Sequence, residues 1–286
     1  MDADIEAPAD WASAIAAIAG AAARRVVVIG PTDVGKSSFI LKAMAACAEA
    51  GRPIRLIDLD PGQKMIGPPG TASLGEASRL ERFIFLGSTS ASEMSKITGA
   101  AVELATEAGG AFIVNTAGWV RGLGSRLQSW TIAGLKPDLI VAIGEEAALS
   151  SILAAHRHVP VANLRASSLA RRKPPSQRAQ IRQAAFSAAL EGAEPLIMEF
   201  GEAEFSPAPP TPFETAARPV CALIDAGGRA IGLGILEKVD ETEALIFARR
   251  PLCPVRQLQL GKMSAELAAG TWKLLERLAP TWRSES

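Results

Sequence analysis

Between Val26 and Ile40 the sequence runs VVVIGPTDVGKSSFI: four β-formers, a glycine, and a Gly-Lys-Ser after four more residues. Gly30 to Ser37 fits the phosphate-binding pattern G-x-x-x-x-G-K-[ST], with a strand expected before it and a helix after. The two glycines let the backbone curl so that successive N–H groups face an anion. The helix N-terminus adds positive potential. The loop and the start of its helix (Gly30, Pro31, Thr32, Asp33, Val34, Gly35, Lys36, Ser37 and Ser38) would wrap a nucleotide's phosphates. In that arrangement Lys36 bridges the β- and γ-phosphates, and the Ser37 hydroxyl ligates Mg²⁺.

Carboxylates come from Asp58-Leu-Asp60-Pro-Gly-Gln63. In a strand, positions 58 and 60 share a face, so both acids can point toward the phosphate end of a sheet. One could support Mg²⁺ and the other accept a proton from an incoming hydroxyl; strand-end turn acids are the plainer alternative. A GTPase switch is disfavoured. The place of its Asp-x-x-Gly is taken by Asn115-Thr-Ala-Gly118, and asparagine supplies no negative charge. No guanine reader follows the apolar run at 138–143, and the loop has no extra lysine of the dimeric ATPase kind.

A third feature is a window without acids. Between Glu146 and Glu191 there is no Asp or Glu, while Arg157, Arg165, Arg171, Arg172, Lys173, Arg178 and Arg182 fall inside it. Across the chain, 30 basic and 30 acidic residues cancel, which argues against broad coating of nucleic acid but not against a local basic site. With 286 residues, 48% apolar, the chain can bury a substantial core. No apolar run reaches the ~18–20 residues of a membrane span. Acids precede the Ala-rich stretch near the start, unlike a signal peptide. Cys47, Cys221 and Cys253 are too scattered for a metal site and read as buried free thiols in a reducing cytoplasm. His156 and His158 read as surface residues.

The elements that must position these groups follow from periodicity. A helix over 8–22 leads into a strand at 25–29, and a second helix runs from the Gly-Lys-Ser to about Ala50. Strands are predicted at PIRLIDLD, RFIFLG (82–87), AFIVNT (111–116), DLIVAI (138–143) and VPVANL (159–164), with helices near 91–108, 127–135 and 147–156. Such alternation implies a mostly parallel α/β sheet covered by helices. After about residue 195 the composition changes. EFSPAPPTPFETAARP holds five prolines and cannot be one regular element. VCALIDAGGRAIGLGILEKV reads as two strands around Asp-Ala-Gly-Gly, EALIFARR as a third, and 263–278 as a closing helix. The expected domains are a lead-in over 1–23, a nucleotide domain over 24–195 and a small β-rich domain over 196–286, with the boundary at 195–200.

These motifs together resemble the polynucleotide 5′-hydroxyl kinases of tRNA splicing, mRNA 3′-end formation and pre-rRNA processing. GPTDVGKSS is similar to that family's P-loop, including its Thr-Asp, and DLDPGQ to its Asp-x-Asp-x-Gly-Gln. PPGTASL resembles its Pro-Gly loop, FLGSTS a Gly-x-x-Ser segment (with Ala91 where the family has proline), and NTAGWVRGLG its Asn-Thr-x-Gly-Trp block. The likeness spans 24–190 and continues weakly into GGRAIGLGILEKVD. Only about two dozen residues precede the first strand, where many eukaryotic members carry a β domain that helps hold adenine.

The resemblance implies a P-loop NTPase fold and transfer of the γ-phosphate of ATP or GTP, with Mg²⁺, to the 5′-hydroxyl of RNA or DNA. It makes Lys36 and Ser37 the phosphate and metal ligands, Asp60 the general base, and Asp58 and Gln63 the residues arranging metal or acceptor. Trp119 would stack on the terminal base of the substrate. RRKPPSQRAQIRQAAF resembles the family's arginine-bearing lid, near 165–190, with Arg178, Arg182 and Phe186 on one helix face and Arg172 before it. Such arginines would stabilise charge on the transferring phosphate. RNA-processing partner proteins and a cytoplasmic, membrane-free location complete the expectation. Two alternatives stay open: a nucleotide-binding RNA-processing scaffold with little turnover, and a small-molecule P-loop kinase.

Overall fold

The computed structural model describes residues 8–168, 170–199, 204–206, 218–239 and 243–275. In chain order the elements are α1 (Ala9–Ala19), β1 (Arg25–Ile29), α2 (Lys36–Glu49), β2 (Arg55–Asp58), β3 (Thr71–Gly75), β4 (Leu80–Phe85), α3 (Met94–Ala108) and β5 (Phe112–Asn115). They continue with α4 (Leu123–Leu135), β6 (Leu139–Ile143), α5 (Glu146–Ala155), β7 (Val161–Leu164) and α6 (Pro175–Ala189). The remainder is β-structure: β8 (Glu194–Glu199), β9 (Glu204–Ser206), β10 (Arg218–Ile224), β11 (Ala230–Val239), β12 (Glu243–Ala248), β13 (Gln257–Ala268) and β14 (Thr271–Leu275).

Two compact units result. Of the described residues, one comprises those up to Ile66, Ala72–Arg82 and Ala91–Arg178; the other comprises Gly67–Thr71, Phe83–Ser90 and those from Ala179 on. The division therefore lies earlier than the expected 195–200, and two short segments from within the nucleotide domain join the second unit.

The first sheet has the order β4-β3-β2-β5-β1-β6-β7. Strands β2, β5, β1, β6 and β7 are parallel, and β3 runs antiparallel to β2. The apolar runs RVVVI, FIVN and LIVAI are buried along almost their whole length, as a sheet covered on both faces requires. Trp11 and Ile18 of α1 and Phe39, Ile40 and Met44 of α2 pack with Val26, Val28 and Ile113 in one apolar core. Trp11 meets Phe39 edge-on at 5.4 Å.

The second sheet is antiparallel along β14-β13-β10-β11-β12-β8, with β9 added parallel to β13. The β10–β11 hairpin turns at Asp225, whose Oδ1 accepts the N–H groups of Gly227 and Arg229 at 2.8 and 2.9 Å. The helix expected over 263–278 is not there. Residues 263–268 lie in β13, where Ala265 pairs with Arg218 and Ser264 with Pro219, and Thr271–Leu275 folds back as β14; positions 276–278 lie outside the described residues. Most of the proline-rich stretch lies outside them too, although its first three residues form β9 and its last two open β10.

Two further expectations are corrected. Cys47 and Cys221 are buried, the latter with a thiol pushed up to about 12 by burial, but Cys253 is exposed. His156 is buried at the end of α5, not on the surface, and burial lowers its pKa.

Candidate active site

Parallel strands β1, β2 and β5 end side by side, with Val28 and Asp58 both in register with Asn115. Their C-terminal ends thus deliver the phosphate loop, the Asp58–Gln63 turn and the Asn115–Gly118 loop to one place, as an open α/β sheet does at its ligand edge. Gly35, at φ 103°, caps α2 in a conformation that disfavours a side chain, and a Cβ there would meet the Trp11 ring at 3.1 Å. Gly118 is required by contact: a Cβ would lie 2.6 Å from the Thr32 nitrogen and 2.7 Å from its Cα. The loop after β5 lies against the phosphate loop because residue 118 has no side chain.

A cavity of about 410 Å³ opens there. It is lined by Thr32, Asp33, Gly35, Lys36, Ser37 and Ser38 from the loop, Asp60 and Gln63 after β2, and Asn115 and Gly118 after β5. Ala170, Arg171, Arg172, Lys173, Gln177 and Arg178 form the basic wall. Its size is within the usual range for small-molecule sites, roughly 300–1,000 Å³.

Lys36 is buried, 8% exposed, and its Nζ donates to the carbonyls of Gly30 and Pro31, both at 2.9 Å. Burial brings its pKa down from 10.5 to about 8, against the pull of Asp60 and Asp33, with Arg178 also acting to lower it. Gly30 and Pro31 therefore hold the lysine with their carbonyls. They do not line the cavity, nor does Val34.

The two acids differ sharply. Asp58 is fully buried and saturated. Its Oδ2 accepts the N–H groups of Met65 and Ile66 at 2.6 and 3.3 Å and lies 3.2 Å from Lys64 Nζ. Its Oδ1 accepts from Asn115 Nδ2 at 2.9 Å and from the Asp60 N–H at 3.3 Å. Asp60 reaches the cavity. Its Oδ1 takes the N–H groups of Gly62 and Gln63 at 3.0 and 2.9 Å, leaving Oδ2 as the outward oxygen. Burial raises the Asp60 pKa and the Asp58 charge adds to it, opposed by those two N–H donors and by Lys36.

Lys64 is the residue that sequence reasoning passed over. Its side chain is 3% exposed and its Nζ also donates to the Asp58 carbonyl at 3.0 Å. The one signal available was its place directly after the Asp-Pro-Gly-Gln turn.

Asp33, within the loop at φ 62°, pairs with Arg178, and its Oδ2 accepts the Lys173 N–H at 3.0 Å. Arg172 lines the cavity. Trp119 does not line it. It is half-buried in the loop before α4, where Gly124 leaves room for its ring and Gln128 Nε2 donates to its carbonyl at 3.3 Å. Arg182 is half-buried on the part of α6 that belongs to the second unit and is likewise not among the lining residues.

Residues 30–192 match the family described as mRNA cleavage and polyadenylation factor CLP1 P-loop. A polyribonucleotide 5′-hydroxyl-kinase of Pyrococcus furiosus is 31% identical over 183 residues, covering 59% of this chain and 51% of that protein. A CLP1 homolog of Dictyostelium discoideum is 31% identical over 163 residues, covering 45% of this chain and 33% of its own. The chain thus spans about half the length, or less, of these curated relatives. Among solved structures, the wild-type Clp1p–Pcf11p complex aligns with a TM-score of 0.61 at 11% identity over 83% of this chain and 74% of that one, a likeness of fold. With more than half of its length matched, the chain is a member of the CLP1 P-loop family.

Proposed function

We propose that this protein is a polynucleotide 5′-hydroxyl kinase that moves the γ-phosphate of a nucleoside triphosphate to the 5′-hydroxyl of RNA or DNA. The observation that carries this is one cavity uniting Lys36, Ser37, Asp60 and the basic wall, in a chain whose matched relatives include named 5′-hydroxyl kinases. Loop N–H groups and Lys36 would bind the phosphates. Asp60, with its raised pKa, would hold and then take the proton of the incoming hydroxyl at Oδ2. Arg172 and Arg178 would face phosphate oxygens, where positioning and charge do most of the work in phosphoryl transfer.

Mg²⁺ fits this site. Gln63 Oε1 and Asn115 Oδ1 are buried acceptors without a hydrogen-bond partner. They line the cavity with the Ser37 hydroxyl and Asp60, an all-oxygen set suited to a hydrated hard cation. Ser37 would hold the ion, which when bound would neutralise phosphate charge. Asp58 would not be a direct ligand, because both its oxygens are committed; its role would be to fix the turn carrying Asp60. Trp119 would serve as a stacking surface for the terminal base of the acceptor. By analogy with the Clp1p–Pcf11p complex, a protein partner is part of the proposal.

The test is direct. Purified protein is incubated with γ-labelled ATP or GTP, Mg²⁺ and 5′-hydroxyl RNA or DNA oligonucleotides. Label at the 5′ end, lost in Lys36→Ala, is the expected result. Absence of transfer to every acceptor, with the triphosphate demonstrably bound, favours the scaffold reading.

A further inference from the structure

An acid in a phosphate-binding loop is electrostatically misplaced: a carboxylate at Asp33 repels the anion that the loop is built to hold. The structure gives it a use. Asp33 adopts a left-handed backbone conformation at φ 62°, tolerated by Asp and Asn among side-chain-bearing residues. Its side chain is 11% exposed, and it holds the basic wall at two points, the Arg178 guanidinium and the Lys173 N–H. Arg178 Nε donates in turn to the Lys173 carbonyl at 3.2 Å, closing a ring of three residues. One more stitch, Ser167 N–H to the Val34 carbonyl at 3.3 Å, ties the same stretch to the same loop.

We infer that Asp33 is a positioning residue that holds Arg178 at the mouth of the phosphate site and competes with the bound triphosphate for its charge. This rests on the kinase reading for its effect on turnover, but not for its effect on binding. Asp33 aims the guanidinium and keeps it from settling on ground-state phosphate, so that Arg178 is spent on charge that develops during transfer. Loss of the Asp33 charge therefore tightens nucleotide binding and slows turnover, a pair of changes that general loosening of the loop does not produce.

The experiment uses the full chain and Asp33→Asn, which keeps size, backbone preference and an acceptor for Lys173. Equilibrium binding of a fluorescent ATP analogue and steady-state transfer to a 5′-hydroxyl oligonucleotide are measured for the wild type, Asp33→Asn, Arg178→Gln and the double variant. Asp33→Asn is expected to bind the analogue several-fold more tightly and to lose about tenfold to a hundredfold in kcat. In the Arg178→Gln background, Asp33→Asn is expected to cause no further loss of kcat. Unchanged or weakened binding in Asp33→Asn overturns the inference, as does a kcat loss that adds fully to that of Arg178→Gln. Failure of the wild type to transfer phosphate overturns the kinase reading alone, and the binding comparison still decides the role of Asp33.

Discussion

Removing a charge has opposite consequences at neighbouring positions of the Asp58–Lys64 turn. Lys64→Met leaves the Asp58 carboxylate buried beside no cation, a change that typically destabilises by about 3–5 kcal/mol. Its melting temperature is expected to fall steeply. Asp60→Asn retains size and both N–H contacts, so the fold should survive while turnover drops by ~10²-fold or more. Thermal unfolding measured beside phosphate transfer separates the two, and a stable, inactive Lys64→Met would place Lys64 in the chemistry instead. Lys36 makes a pH prediction. Its pKa is depressed to about 8 from 10.5, so below pH 8 the burial cost of its charge is fully present in the folded chain. As pH rises from about 8 to 10.5 the folded chain loses the proton first, and stability should increase relative to Lys36→Met over that window. Bound phosphate favours the charged amine, so triphosphate affinity should fall over the same rise in pH, up to about tenfold per unit. Calorimetric titration across pH 7–10 checks the sign; affinity that is flat with pH would mean that Lys36 does not meet phosphate.

At the scale of elements, the first turn of α4 seats Trp119. A Cβ on Gly124 would lie 2.5 Å from the Trp119 Cγ, so Gly124→Ala must displace the indole or the loop before it. If Trp119 stacks on the acceptor, Gly124→Ala should raise the oligonucleotide KM much as Trp119→Ala does, at about 1–3 kcal/mol for a lost stacked base. Nucleotide affinity should be unaffected, and Trp119→Phe should recover part of the loss. Normal acceptor KM in both alanine variants would leave Trp119 a packing role alone. The elements that carry the site were readable because they are local. RVVVI, FIVN and LIVAI are uninterrupted β-formers, and the phosphate loop is one contiguous motif. What escaped was decided at a distance. The ring around Asp33 joins positions 145 residues apart, and the Asp58–Lys64 pair depends on a burial that no spacing reveals. The misassigned segment MSAELAAGTWKLL is rich in helix formers, yet β13 pairs with β10 and β14 pairs with β13, and pairing overrides propensity. TASLG, for which no strand was predicted, is wholly buried as β3.

On the scale of the whole molecule, the second unit draws on three parts of the sequence, and that sets where the chain can be cut. Phe83 and Phe85, contributed by β4, and Phe186 and Leu190, contributed by the end of α6, pack with Val220, Ala222, Ile235, Met263 and Ala265. All of these belong to the second unit. A cut at 195, where composition changes, keeps the first four and removes the other five. Each stranded side chain forfeits about 1.5–3 kcal/mol of burial. Four of them forfeit roughly 6–12 kcal/mol, comparable with the entire stability of a typical domain, about 5–15 kcal/mol. Residues 1–195 alone should therefore expose an apolar patch, bind a hydrophobic dye, and aggregate or melt well below the full chain. Replacing Phe83, Phe85, Phe186 and Leu190 with polar residues in that fragment should relieve aggregation, since the apolar cluster they join loses Val220, Ala222, Ile235, Met263 and Ala265. Gel filtration, dye fluorescence and thermal unfolding of the fragment, its polar variant and the full chain test this. A monodisperse, dye-free fragment that melts with the full chain would show that residues 83–90 and 179–190 do not depend on the second unit for their burial.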